Sequence, residues 1–127
     1  MSKDKVILSP YMGYLILKVN GCKYYMYRII NPDKENIKKQ DIGKLNKEDI
    51  VFVGLRYNLY NAYGFIRQHK KNSRIDTQTF WNMQIELIHT SKEDIDKFWT
   101  KTKKMGIEKE LKLYLTYPVE TGSLDFL

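Results

Sequence analysis

The stretch "GYLILKVNGCKYYMYRII", Gly13 to Ile30, decides how the chain is read. Two runs of β-branched and aromatic residues flank Asn20-Gly21, the dipeptide favoured where a tight hairpin needs two positive φ angles in succession. A two-residue turn at that point pairs Val19 with Cys22, Leu17 with Tyr24 and Leu15 with Met26. Side chains alternate along a strand, so those six residues share one face. The opposite face then holds Tyr14, Ile16 and Lys18 across from Tyr27, Tyr25 and Lys23. The first set has the character of a core. The second offers rings and cations together, either for packing at a rim or for contact with something flat and anionic.

Outward from the hairpin, "NPDKENIKKQDIGKLNKED" (31–49) is polar and turn-rich and reads as a long connection with at most one short helical turn. "DIVFVGL" (49–55) is a short buried strand. A helix is expected from about Leu55 to Asn72, because Leu55, Leu59, Ala62 and Ile66 fall on one stripe. "TFWNMQIELIHT" (79–90) alternates as a strand does. Ser91 caps a further helix, with Glu93 and Asp94 in its first turn, Lys101, Lys103 and Lys104 near its end, and Gly106 as its stop. "KELKLYLTYP" (109–118) reads as a last strand ended by Pro118, and 119–127 as a flexible tail. The expected order is β-β-β-α-β-α-β. That is a single α+β domain over residues 1–118, with a mainly antiparallel sheet and two helices on one face.

A chain of 127 residues holds one core, and a hydrophobic share of 43% places it with packed globules rather than disordered chains. No apolar run reaches the roughly 18–20 residues of a membrane helix, and the N-terminus does not read as a secretory signal. The one cysteine, Cys22, makes neither an internal disulfide nor a zinc site, so a reducing, cytoplasmic setting is expected. Cys22 itself reads as a small buried residue.

The net charge of +7 is unevenly spread. Residues 1–54 carry ten bases and six acids, residues 55–75 five bases and no acid, and residues 76–127 seven bases and nine acids. Between Asp49 and Asp76 there is no side-chain carboxylate. On a helix of about 100° per residue, Arg56, Tyr60, Tyr63, Arg67, Lys70 and Arg74 fall in one stripe with Lys71 at its edge, about 110° from the apolar stripe. Bases interleaved with tyrosines supply phosphate pairing and ring contact at once. A merely solvated helix would more often carry glutamates four residues from its bases.

Catalytic signatures are absent from the spacing. His69 and His89 are the only histidines, His69 near the apolar edge of its helix and His89 at the end of a strand, facing away from Glu86. The glycines form no phosphate loop. Trp81 and Trp99 read as core, Trp99 on a stripe with Ile95, Phe98 and Thr102.

The expectation is therefore a small non-catalytic nucleic-acid-binding protein without cofactor or metal. Size and composition suit a regulator or accessory factor of a virus or mobile element. Arg56, Arg67, Lys70, Lys71 and Arg74 would meet phosphates, DNA or RNA alike, and Tyr60, Tyr63, Tyr25 and Tyr27, with Lys18 and Lys23, would supply ring and charge contact. The alternative is an inhibitor or adaptor that docks the same Arg/Tyr surface on an acidic face of a nucleic-acid-handling protein. A metal-assisted nuclease stands third.

Overall fold

The computed structural model describes residues 5–115 and is an α+β fold. Strands β1 (Lys5–Ile7), β2 (Tyr14–Val19), β3 (Lys23–Ile29) and β4 (Ile50–Arg56) form one antiparallel sheet in the order β1-β2-β3-β4. Helices α1 (Leu59–Asn72), α2 (Thr77–His89), α3 (Ile95–Lys104) and α4 (Glu108–Tyr114) follow. The expected tail 119–127 lies outside the described residues.

Asn20 and Gly21 both have positive φ, 54° and 73°, as the turn signal requires. The loop is nevertheless one residue longer than expected. Val19 pairs with Lys23, Leu17 with Tyr25 and Leu15 with Tyr27. Cys22 therefore belongs to the turn and is exposed, which corrects its reading as a buried residue. Because side chains alternate, this slip of one residue moves every β3 side chain to the other face. Tyr14, Ile16, Tyr24 and Met26 now share a core with all four helices. Leu15, Leu17, Tyr27 and Ile29 form a second core with Ile42 and Leu45 of the 31–49 connection. Both faces of the sheet are covered, so the expected tyrosine-rich outer face does not exist as one surface.

The 31–49 connection supplies that cover as three short 3-10 turns, at Pro32–Lys34, Lys39–Lys44 and Lys47–Asp49. Asp49, only 1% exposed, holds it in place. Its carboxylate accepts from Asn31 Nδ2 at 3.0 Å, Lys34 Nζ at 2.8 Å and the Asn46 amide at 2.7 Å. A buried carboxylate with three donors is satisfied, and the polar segment is pinned against the sheet.

Two expected strands are helices. Asp76 caps α2 by accepting from the Thr79 amide at 2.7 Å, and Phe80, Met83 and Leu87 are buried on one stripe. Their spacing of three and four residues is helical, and it outweighs the strand propensity of the Thr, Phe, Trp and Ile around them. Leu111 in α4 and Leu115 at its C-cap are buried four residues apart while Leu113 is 73% exposed. An ion pair from Lys112 to Glu108 at 3.2 Å spans the same helical step. The helix after β4 starts later than expected, since Leu55 and Arg56 continue the strand against Tyr25 and Tyr24. Asn58 then caps α1 through the Asn61 amide at 2.7 Å. The α3 helix ends as read: Gly106 has φ 76°, and Ile107 N reaches Thr102 O at 3.2 Å.

Gly54 shows how tightly α1 sits on the sheet. A Cβ built there would lie 2.6 Å from Cζ of Phe65. Gly54→Ala is expected to cost about 1–3 kcal/mol, the usual penalty of forcing one extra carbon into a packed contact. Urea denaturation checks it, and adding Phe65→Leu to Gly54→Ala should recover part of the loss. An alanine variant as stable as wild type would show that the ring shifts freely.

Candidate nucleic-acid interface

Helix α1 carries no acid in its first turn and ends in His69, Lys70 and Lys71, a cationic finish that suits the negative end of its dipole. Arg67, Lys70, Lys71 and Arg74 are exposed, and Tyr60 is 72% exposed. Among the described residues none of Arg56, Arg67, Lys70, Lys71 and Arg74 forms an ion pair.

The stripe is not the single helical line that was expected. Arg56 stands at the end of β4, its guanidinium 4.4 Å from the centre of the Phe65 ring. Arg74 lies beyond the helix, after the C-cap residue Ser73, and its amide donates to Glu110 Oε1 at 3.0 Å. On one flank Tyr63 packs on Tyr11 with ring centres 4.7 Å apart. There Arg67 donates to the Tyr11 hydroxyl at 3.3 Å and Lys70 to the Met12 carbonyl at 3.0 Å. The loop between β1 and β2 thus steadies that side, while Lys71 stays in solvent.

The hairpin residues do not join this surface. Tyr27 is buried and Tyr25 half-buried on the face covered by 31–49, where both rings lie within 6.0 Å of Phe52. Burial, with Tyr25 beside it, pushes the Tyr27 phenol up to about 12. Lys18 lies 5.9 Å over Tyr24 on the helix face, and Lys23 is on the opposite face beside Val19. The one-residue register slip leaves Lys23, Tyr25 and Tyr27 on one face and puts Lys18 on the other.

Two recesses flank α1. One of ≈ 460 Å³ is lined by Arg56, Tyr60, Asn61, Gly64, Arg67 and their neighbours Phe65 and Gln68. The second, of ≈ 540 Å³, opens between β4, the C-terminal half of α1 and α4, and shares Arg56, Phe65 and Gln68 with the first. Its far wall holds His69, Asn72, Arg74, Glu110 and Tyr114.

Behind that wall is a residue that pattern reading missed. Arg28 is 6% exposed, directed to the helix face opposite Tyr14. It donates to Ser73 Oγ at 3.0 Å, Ile75 O at 3.1 Å and Thr77 Oγ1 at 3.3 Å, and lies 5.0 Å over Phe80. Ser73 in turn donates to Glu110 Oε2, and Thr77 to Glu35 Oε2 at 2.9 Å. Two carboxylates thus balance one buried guanidinium through hydroxyl bridges. The signal lay in the alternation of β3, which turns a charged residue into the core.

His69 joins the same region. The Tyr14 hydroxyl is 2.6 Å from His69 Nδ1. Burial raises the Tyr14 phenol to about 12, so it keeps its proton, and which partner donates follows the imidazole tautomer. Burial lowers the His69 pKa, Arg28 lowers it further, and Glu110 pushes partly the other way. The folded state therefore resists protonating His69. Its contribution to stability is complete above the ordinary histidine value of about 6.5 and is lost as pH falls from there through the lowered folded value. His69→Gln should flatten the pH dependence of urea stability between about pH 7.5 and 5. Parallel curves for wild type and variant would overturn this.

His89 is exposed at the end of α2, a helix rather than a strand, and Glu86 on that helix pairs with Lys101 at 2.8 Å. The expected opposition of His89 and Glu86 across a strand is thereby replaced. Among the described residues no three His, Cys, Asp or Glu side chains gather as metal ligands. No helix among them is long and apolar enough to cross a membrane. Compared with family models, curated proteins and solved structures, the chain finds no match.

Proposed function

We propose that this chain is a non-catalytic nucleic-acid-binding protein, a regulator or accessory factor that holds phosphates against the outer side of α1. The observation that carries the reading is an exposed cationic surface with no carboxylate between Asp49 and Asp76 and no ion pair, among the described residues, on any of its five bases. Unpaired arginine and lysine are free to replace the counterions of a phosphate backbone, which is the main source of affinity in such complexes. Tyr60, beside Arg56 and Arg67, adds an exposed ring. The test is fluorescence anisotropy of labelled single- and double-stranded oligonucleotides of unrelated sequence at two salt concentrations. Binding that weakens steeply with salt is expected, and no salt-dependent binding to either would overturn the proposal.

A second reading, docking on an acidic protein surface, is favoured by Tyr57 and Tyr60, which are 66% and 72% exposed next to Arg56. Tyrosine and arginine are common interface anchors. Retention of an acidic protein partner, without oligonucleotide binding, would select it.

A further inference from the structure

We propose that the ≈ 540 Å³ recess takes one unpaired base of a nucleic-acid strand whose phosphates run through the neighbouring ≈ 460 Å³ groove past Arg56 and Arg67. This rests on the nucleic-acid reading above and narrows it to single strands.

The two recesses differ in chemistry. The groove around Arg56, Tyr60 and Arg67 contains no carboxylate and suits phosphate. The larger recess sets Glu110 against Arg56 and Arg74, and the Glu110 oxygens accept from Ser73 and the Arg74 amide, so it suits phosphate less than the acid-free groove does. What remains suits a flat, uncharged, hydrogen-bonding group. Phe65 and His69 stack with centres 5.7 Å apart, and Tyr114 meets His69 edge-on at 5.2 Å, so one wall is aromatic. Gln68 and Asn72 bring amides that both donate and accept, and His69 has Nε2 left after Nδ1 is taken by Tyr14. Rings for stacking and amides for base edges are how proteins read unpaired bases.

Shared walls make the case for a strand rather than a free nucleotide. Arg56, Phe65 and Gln68 border both recesses, so a chain leaving one enters the other without crossing an acidic surface. A duplex keeps its bases stacked inside and offers only their edges, so its bases do not fill a concave recess of this size.

The experiment measures anisotropy with a labelled 12-nucleotide single strand, the same strand with abasic sites, its duplex, and a mononucleotide as competitor. Wild type is expected to bind the single strand about tenfold or more tighter than the duplex or the abasic strand. Tyr114→Ala should weaken single-strand binding between about fivefold and 150-fold, the range for loss of one stacking ring, with the salt slope unchanged. Asn72→Trp, at an exposed position on the recess wall, should weaken it likewise by filling the space, and gives a second route if Tyr114→Ala folds poorly. Equal binding of all three oligonucleotides, with both variants silent and salt dependence intact, would overturn the base recess and leave the nucleic-acid reading standing. Competition by the mononucleotide at the affinity of the whole strand would overturn the strand. Failure of every oligonucleotide to bind would remove both.

Discussion

Reversing the charge of Arg67 and Lys71 together, both to Glu, is expected to weaken oligonucleotide binding about 15–30-fold near 0.15 M salt. The figure follows from counterion release. Each phosphate contact contributes a log–log salt slope of about 0.7 for a single strand or 0.9 for a duplex, so two contacts give about 1.2–1.5 log units at that salt. The slope itself should become shallower by about 1.4–1.8. Folding should survive, because both residues are exposed and such substitutions usually shift stability by about 0.5 kcal/mol or less. The hydrogen bond from Arg67 to Tyr11, long at 3.3 Å and exposed, does not change that expectation. Lys101→Glu with Lys103→Glu serves as the control. Lys101 already pairs with Glu86, and Asp94 and Asp96 lie on the same segment, so the effect there should be much smaller. Anisotropy titrations over a salt series separate the outcomes. Equal losses from both pairs would mean that net charge, not the α1 surface, drives binding.

Arg28→Ala should be the most damaging substitution for stability, at about 3–5 kcal/mol. That is the scale for removing one partner from a buried charged network. Its loss strips donors from Ser73 Oγ, Ile75 O and Thr77 Oγ1, empties the space over Phe80, and leaves Glu35 and Glu110 without the buried positive charge between them. Hydrogen bonds to charged groups contribute roughly 1.5–3 kcal/mol each, so two of them already account for a loss of this size. Arg28→Lys should fall between wild type and alanine: it keeps the charge, but a single ammonium does not reproduce the planar fork that serves three acceptors. Urea denaturation at neutral pH ranks the three. A lysine variant as stable as wild type would show that charge alone matters, and an alanine variant within 1 kcal/mol of wild type would refute the network.

Part of the molecule was legible without coordinates. The Asn20-Gly21 turn, the stripe of Ala62 and Ile66, the run of Phe98, Trp99 and Thr102, and the stop at Gly106 are local signals, each satisfied within a few residues of chain. The α2 and α4 segments were misread because their patterns fit both periods. Leu111, Leu113 and Leu115 alternate as in a strand, yet Leu111 and Leu115 also stand one helical turn apart. For α2 the deciding signal was present in Asp76 three residues before Thr79, and in Phe80, Met83 and Leu87. The hairpin register was beyond pattern reading, since one added turn residue, Cys22, inverts β3, and both faces of that strand are apolar enough to be buried.

By itself the sequence determined that this is an α+β domain built on a hairpin, and that its positive charge collects between Asp49 and Asp76, because composition and short-range periodicity are written along the chain. Which tyrosines reach solvent, how Arg56 and Arg74 come to border one recess from opposite ends of α1, and why Arg28 is buried were decided only by tertiary structure. Those properties depend on which face of the sheet each side chain takes and on how α4 closes against β4. Such contacts join residues dozens of positions apart, and no local pattern encodes them.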